Sequence, residues 1–222
     1  MPKFSGLFDT FDNLGQIDIN SLLGWFKNAP PSPIQLEDYL ANKILYPKTL
    51  PLTNFDMKID LAILREALRI NRPNLNKTEG PLLGGNPFLN VTLRKVIIPE
   101  RFLLYVPDLV NLVWAFIDGL FLNRKKNDLF EDLWTVVVSG ELVETVGSIL
   151  LPEFPRLGER MNITLSGRQY RINSGSLTRV PCQKSRCEIS YELTDGKILG
   201  KNSDAIEVYG GKLGLMVDGR MQ

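Results

Sequence analysis

Apolar residues recur at helical spacing through the first half of the chain and at shorter, strand-like intervals through the second. In Asp18–Lys27, Ile19, Leu22, Leu23 and Phe26 fall on one stripe, as a 3.6-residue period requires. The run Asn28-Ala29-Pro30-Pro31-Ser32-Pro33 breaks that helix. A second helix starts at once, with Ser32 as N-cap, Pro33 in the first helical position and Gln35 placed to complete a capping box. Leu36, Leu40 and Ile44 carry its stripe to about Leu45. Tyr46-Pro47 closes it, because the residue before proline avoids the α region. A third helix is expected around Asp60–Ile70, where Leu61, Leu64 and Leu68 make a wide apolar face, with Arg72-Pro73-Asn74 as its stop. After a Gly/Asn/Pro loop over 74–88, Leu89–Ile98 alternates and reads as a strand. Pro107–Leu122 reads as the most buried helix, and Asp128–Ser139 as a short helix passing into a strand.

From Gly140 onward short β-type runs alternate with turn dipeptides. The runs are Leu142–Leu151, Met161–Leu165, Gln169–Ile172, Glu188–Leu193, Lys197–Leu199, Ala205–Tyr209 and Leu213–Val217. Ser166-Gly167 and Asp195-Gly196 suit tight hairpins. The expected fold class is α+β: a mainly helical domain over 1–140 with an N-terminal arm, then a small all-β barrel or sandwich over 141–222.

Composition narrows the chemistry. The 222 residues include no histidine and two cysteines, which removes Ser-His-Asp and Cys-His catalysis, His-ligated metals and thiolate cages. No catalytic, cofactor or metal residue is assigned, and no cofactor is expected. The net charge is +1, spread without a basic arm or acidic tail, which argues against nucleic acid and permits association with protein partners or with itself. The N-terminus lacks the unbroken apolar core of a signal peptide, so the expected location is cytoplasmic, with Cys182 and Cys187 as reduced thiols. On that footing the N-x-Thr sequences at Asn76, Asn90 and Asn162 are chance matches. Phe102–Leu122 is long enough to span a bilayer, but Asp108 and Asp118 would each cost roughly 2.5–3.5 kcal/mol at its centre. A buried or interfacial helix is the better reading.

The glycine-rich stretches at Gly80–Asn86 and Gly210–Gly214 lack the spacing of phosphate-binding loops and read as turns. Glu141/Glu144 and Glu131/Asp132 read as solvated surface carboxylates. One charge pattern stands apart. Arg160 to Cys187 holds six basic residues and no acidic one, whereas Glu188 to Asp218 holds six acidic and three basic. The two stretches either pair as neighbouring strands, with charges facing each other, or lie on different faces, leaving a basic docking patch. Arg168, Tyr170, Arg171 and Arg179 are the patch candidates. Phe4, Leu7, Phe8 and Phe11, with Trp25 and Phe26, are aromatic and apolar anchors suited to an arm that packs on a neighbour.

Glu207-Val208-Tyr209-Gly210-Gly211-Lys212-Leu213-Gly214-Leu215-Met216-Val217-Asp218-Gly219-Arg220 resembles the C-terminal ending of the glutamate mutase accessory protein L family. Ser148–Pro152 with Leu157-Gly158, and Gly175-Ser176-Leu177, are similar to upstream steps of that family. The likeness covers 141–222 and implies a β module used as an accessory or docking element. The family's larger actin-like nucleotide-binding part has no counterpart in these 222 residues, so its ATP-linked activity is not carried over. The expected function is a non-enzymatic structural or adaptor subunit of a larger assembly. The alternatives are a peripheral membrane protein anchored by Leu22–Phe26 and the Leu109–Leu122 face, and a small-ligand binder or enzyme with an Arg/carboxylate site.

Overall fold

The computed structural model describes residues 8, 11, 13–75, 95–122 and 132–220, giving the backbone alone at 72–75. The fold class is α+β, with two compact units that interleave in sequence. One takes the chain up to Leu82 together with Glu100–Phe121. The other takes Leu83–Pro99 and everything from Leu122.

The helical unit is built from α1 (Ile19–Leu23), α2 (Pro33–Leu45), α3 (Asn54–Leu75) and α4 (Leu109–Phe121). α1 is shorter than its apolar stripe, because Gly24 takes the C-cap. The Ser32/Gln35 capping box at α2 forms in both directions: Ser32 Oγ accepts from Gln35 N–H at 3.2 Å, and Gln35 Oε1 accepts from Ser32 N–H at 3.0 Å. α3 is longer than Asp60–Ile70 at both ends. Its start is set by a second reciprocal cap, in which Thr53 N–H donates to Asp56 Oδ2 at 2.9 Å and Asp56 N–H to Thr53 Oγ1 at 3.0 Å. At its far end the helix runs through Pro73 to Leu75, past the stop expected at Arg72-Pro73-Asn74. α4 follows a 3-10 turn over Glu100–Leu104, and it crosses α3 closely at Gly119. A Cβ there would sit 2.6 Å from Leu68 Cβ, so only glycine lets the helices approach this near. Leu112, Val113, Phe116 and Ile117 of α4 are buried, which makes it a core helix of this unit.

The β unit is a two-sheet sandwich; neither sheet closes, which sets aside the barrel. The first sheet has five strands in the order β1 (Lys95–Pro99), β2 (Leu133–Ser139), β3 (Val143–Leu150), β9 (Gly214–Asp218), β6 (Leu177–Val180). The second has four, in the order β5 (Arg168–Asn173), β4 (Arg160–Leu165), β7 (Arg186–Leu193), β8 (Ser203–Tyr209). β1 is the end of the run expected at 89–98, whose residues 89–94 lie outside the described residues. In the ambiguous stretch 128–139 the described part is strand β2. It pairs antiparallel with β3 across a short turn, so a cut after residue 140 falls inside a hairpin. The β-branched Val136–Val138 run finds its backbone partners there, and β1 adds in parallel on its other side.

Ser166 and Gly167, both with positive φ (50° and 79°), make the tight β4–β5 turn expected of them. Asp195-Gly196 does not close a two-residue hairpin: β7 and β8 are joined by a longer loop, and Lys197–Leu199 supplies isolated bridges instead of a strand. Strand β6 was not expected, since Leu177–Val180 has only four residues and no clean alternation. Alternation is clearest in β7, exposed and buried by turns along its whole length. Ile163, Ile189, Leu215 and Val217 are among the residues that fill the core.

Candidate functional site

The most heavily charged interior lies in the helical unit. Lys43 and Asp60 are both buried, and Lys43 Nζ meets Asp60 Oδ2 at 2.9 Å. Lys43 is delivered by the last turn of α2 and Asp60 by the second turn of α3. Lys43 Nζ also donates to the Thr49 carbonyl at 2.7 Å, and the Tyr39 hydroxyl donates to Asp60 Oδ1 at 3.0 Å. The rings of Phe8, Tyr39 and Tyr105 stand 5.4, 5.4 and 5.8 Å from the ammonium. Burial raises the Asp60 carboxyl to about 6, against the opposing pull of Lys43 and the Tyr39 hydrogen bond. Burial, and next the Asp60 charge, push the Tyr39 phenol far above its usual range. This is an aromatic cage filled by the chain's own lysine, a structural use of cation–π contact.

A second cluster ties α3 to α4 and to the end of α1. Arg65 Nε meets Asp118 Oδ2 at 2.7 Å, and the Arg65 guanidinium lies 5.1 Å from the Trp25 ring. Trp25 Nε1 donates to Glu66 Oε1 at 2.8 Å, and Arg69 holds the other carboxylate oxygen. In the β unit Asp218 is buried and held by Arg220, through Nε at 2.9 Å and Nη2 at 3.1 Å. These two residues are the Asp and Arg of the C-terminal motif quoted above, and their pairing closes the end of β9.

The apolar anchors fall differently from an arm. Phe8 is only 1% exposed and packs inside the helical unit. Phe11 is half-buried, and Phe4 and Leu7 lie outside the described residues. Trp25 and Phe26 are half-buried, with Phe26 6.4 Å from the Phe55 ring. In the helical unit, exposed large apolar groups are concentrated on α2, the α2–α3 connection and the start of α3: Ile34, Ile44, Leu45, Tyr46, Leu50, Leu52 and Phe55, with Leu104 also exposed; in the β unit Leu142, Val143, Leu157 and Leu199 are exposed. Leu52 is 92% exposed. The connection is nevertheless ordered from beneath, because the Thr49 carbonyl is bound by Lys43 and the Lys48 carbonyl by the Tyr105 hydroxyl at 3.2 Å. A shallow depression lined by Leu45, Tyr46, Pro47, Lys48 and Thr49 lies in this surface. Sequence reasoning missed it because it judged each helix by its buried stripe and passed over the Leu50-Pro51-Leu52 step.

The four β-unit candidates do not converge. Arg168, Tyr170 and Arg171 lie on β5, but Arg168 and Arg171 are three residues apart and so point to opposite faces of the strand. Tyr170 packs against the core. Arg179 is on β6 in the other sheet, its guanidinium bonded to the carbonyls of Leu213 at 2.7 Å and Lys212 at 2.8 Å. Of the basic stretch, Arg186 reaches the acidic one, meeting Glu207 at 3.2 Å across β7 and β8. Glu188 and Glu207 face each other as like charges in that ladder.

Cys182 and Cys187 are joined as a disulfide, which corrects the expectation of reduced thiols. Both are buried where the 182–187 loop folds over Gly210 and Gly211, bringing the sulfurs together. Among the described residues no helix is long and apolar enough to cross a membrane. No protein-family model, curated protein or solved structure matches this chain.

Proposed function

We propose that this protein is a structural or adaptor subunit that docks onto another protein, and that it works without catalysis. The observation that carries this reading is the apolar surface over Ile44–Phe55, large side chains held outward on a connection pinned from below. The buried charges support it, since Lys43, Asp60, Glu66 and Asp218 are each bound within the fold. The likeness of 141–222 to an accessory protein's β region points the same way. Docking by this surface replaces docking by an aromatic arm, because Phe8 and Trp25 already serve their own unit. Cytoplasmic location is part of the proposal; the Cys182–Cys187 bond favours an oxidising compartment as the second reading.

Cross-linking mass spectrometry on the protein isolated at native level tests the docking role. Inter-protein cross-links from Lys48 and Lys58, at and beside this surface, are expected. Cross-links confined within single chains, together with a monomeric mass, would remove it.

A further inference from the structure

We propose that the open edge of β5 receives an extended acidic peptide segment of a partner, which adds to the four-stranded sheet as a fifth strand; this rests on the reading of the chain as a docking subunit. The backbone supplies the first reason. Ser174 N–H donates to the Glu159 carbonyl at 2.9 Å, one step beyond the Arg160↔Asn173 pair of the β4–β5 ladder. Bonded and non-bonded pairs alternate in an antiparallel ladder. Ile172, Tyr170 and Arg168 therefore turn their backbone groups to β4, while Gln169, Arg171 and Asn173 turn theirs outward. Ser176 occupies the Asn173 carbonyl, through N–H at 3.1 Å and Oγ at 2.6 Å. That leaves the N–H groups of Gln169, Arg171 and Asn173 and the carbonyls of Gln169 and Arg171 without a bond among the described residues.

The opposite edge of the same sheet is partly occupied. On β8 the Ala205 N–H is taken by Asp204 Oδ1 at 2.9 Å, and the Tyr209 N–H by Ser148 Oγ at 2.9 Å. Lys201 in turn holds Asp204 at 2.6 Å. Two of the outward amides of β8 are thus taken, whereas the three of β5 over 169–173 are all free among the described residues, which makes β5 the better place for a visiting strand.

Charge selects the visitor. Arg168 and Arg171 are exposed, and among the described residues no hydrogen bond or ion pair holds either guanidinium. No acidic residue lies between Arg160 and Cys187. A second copy pairing through its own β5 would bring arginine against arginine, which disfavours self-pairing there. On the outer face an added strand meets Arg171, and on the inner face it meets Tyr170 and Ile172, with Arg168 adding its charge at the turn end of that inner face. The fitting segment alternates carboxylate with β-branched apolar residues.

The test uses the full chain and a labelled, end-blocked (Glu-Val)4 peptide, with (Lys-Val)4 as its counterpart, read by fluorescence anisotropy and amide hydrogen exchange. The acidic peptide is expected to bind at least tenfold tighter, less so at high salt, and to slow exchange at Gln169, Arg171 and Asn173. Arg168→Glu with Arg171→Glu should weaken it at least tenfold. Gln169→Pro removes an edge donor without a ladder bond and should do the same. Equal binding of the two peptides, or binding without protection of those amides, would overturn the proposal and leave the arginines as guards against edge pairing. The exchange measurement on the unmodified chain decides even if a variant fails to fold. Cross-links at Ile44–Phe55 are read separately, so failure at β5 alone leaves the docking role standing.

Discussion

Lys43 keeps its ammonium inside the helical unit, where an unpaired charge would cost several kcal/mol. Asp60, the Thr49 carbonyl and three rings together make that burial tolerable. Removing one partner is therefore worse than removing both. Lys43→Met should destabilise the helical unit by about 3–5 kcal/mol, and Lys43→Met with Asp60→Leu should recover most of the loss, read by chemical denaturation. The carboxyl adds a pH signature. Its folded value of about 6 lies above the ordinary range of an aspartate carboxyl, so the folded state binds the extra proton. Its contribution is fully present below about 4 and is lost as pH rises to about 6. Lys43→Met should accordingly cost less at pH 5 than at pH 8, because a neutral Asp60 needs no counterion. An equal loss at both pH values would show that Asp60 titrates as an ordinary carboxyl. None of this pairing was legible in the sequence. Lys43 lies between Asn42 and Ile44 near the end of α2, and nothing in that spacing names Asp60 of α3 and the Thr49 carbonyl as the partners that hold it inside.

At the scale of elements, local signals carried far. Ser32, Pro33 and Gln35 state the start of α2 in four residues, and Ser166-Gly167 states the β4–β5 turn, because both depend on backbone geometry that neighbours alone impose. Strand β6 and the β7–β8 connection escaped the same reading. A four-residue strand is made by its partner β9, and Lys197–Leu199 follows the path set by Glu153. The 182–187 loop is another element decided at a distance, since its cysteines meet where the chain folds over Gly210. Closing so short a loop is worth about 2 kcal/mol in chain entropy. Replacing both cysteines by serine should lower the stability of the β unit by about that amount or more, with hydroxyls then in a buried site. Thermal melts with and without reductant check it; an unchanged midpoint in both would show that the bond is dispensable.

For the whole molecule, a net charge of +1 gives little long-range repulsion, so contact between molecules is governed by what the surface exposes. Leu50 and Leu52 are 51% and 92% exposed, and their replacement touches little of the core. Leu50→Glu with Leu52→Glu should change stability by under about 0.5 kcal/mol per site yet reduce association measured by light scattering. The net charge passes only from +1 to −1, two units fewer and the same in magnitude, so any loss of association reports lost apolar contact. Undiminished association would place the contact elsewhere. The sequence by itself determined the class of fold, most element positions and the exclusion of histidine chemistry, because periodicity, caps and composition act over a few residues. Tertiary structure alone decided which charges lie inside, which sheet each arginine joins and which apolar residues stay outside. Each of those depends on partners that sequence spacing does not name: Asp60 for Lys43, the Leu213 carbonyl for Arg179 and the open edge for Arg171.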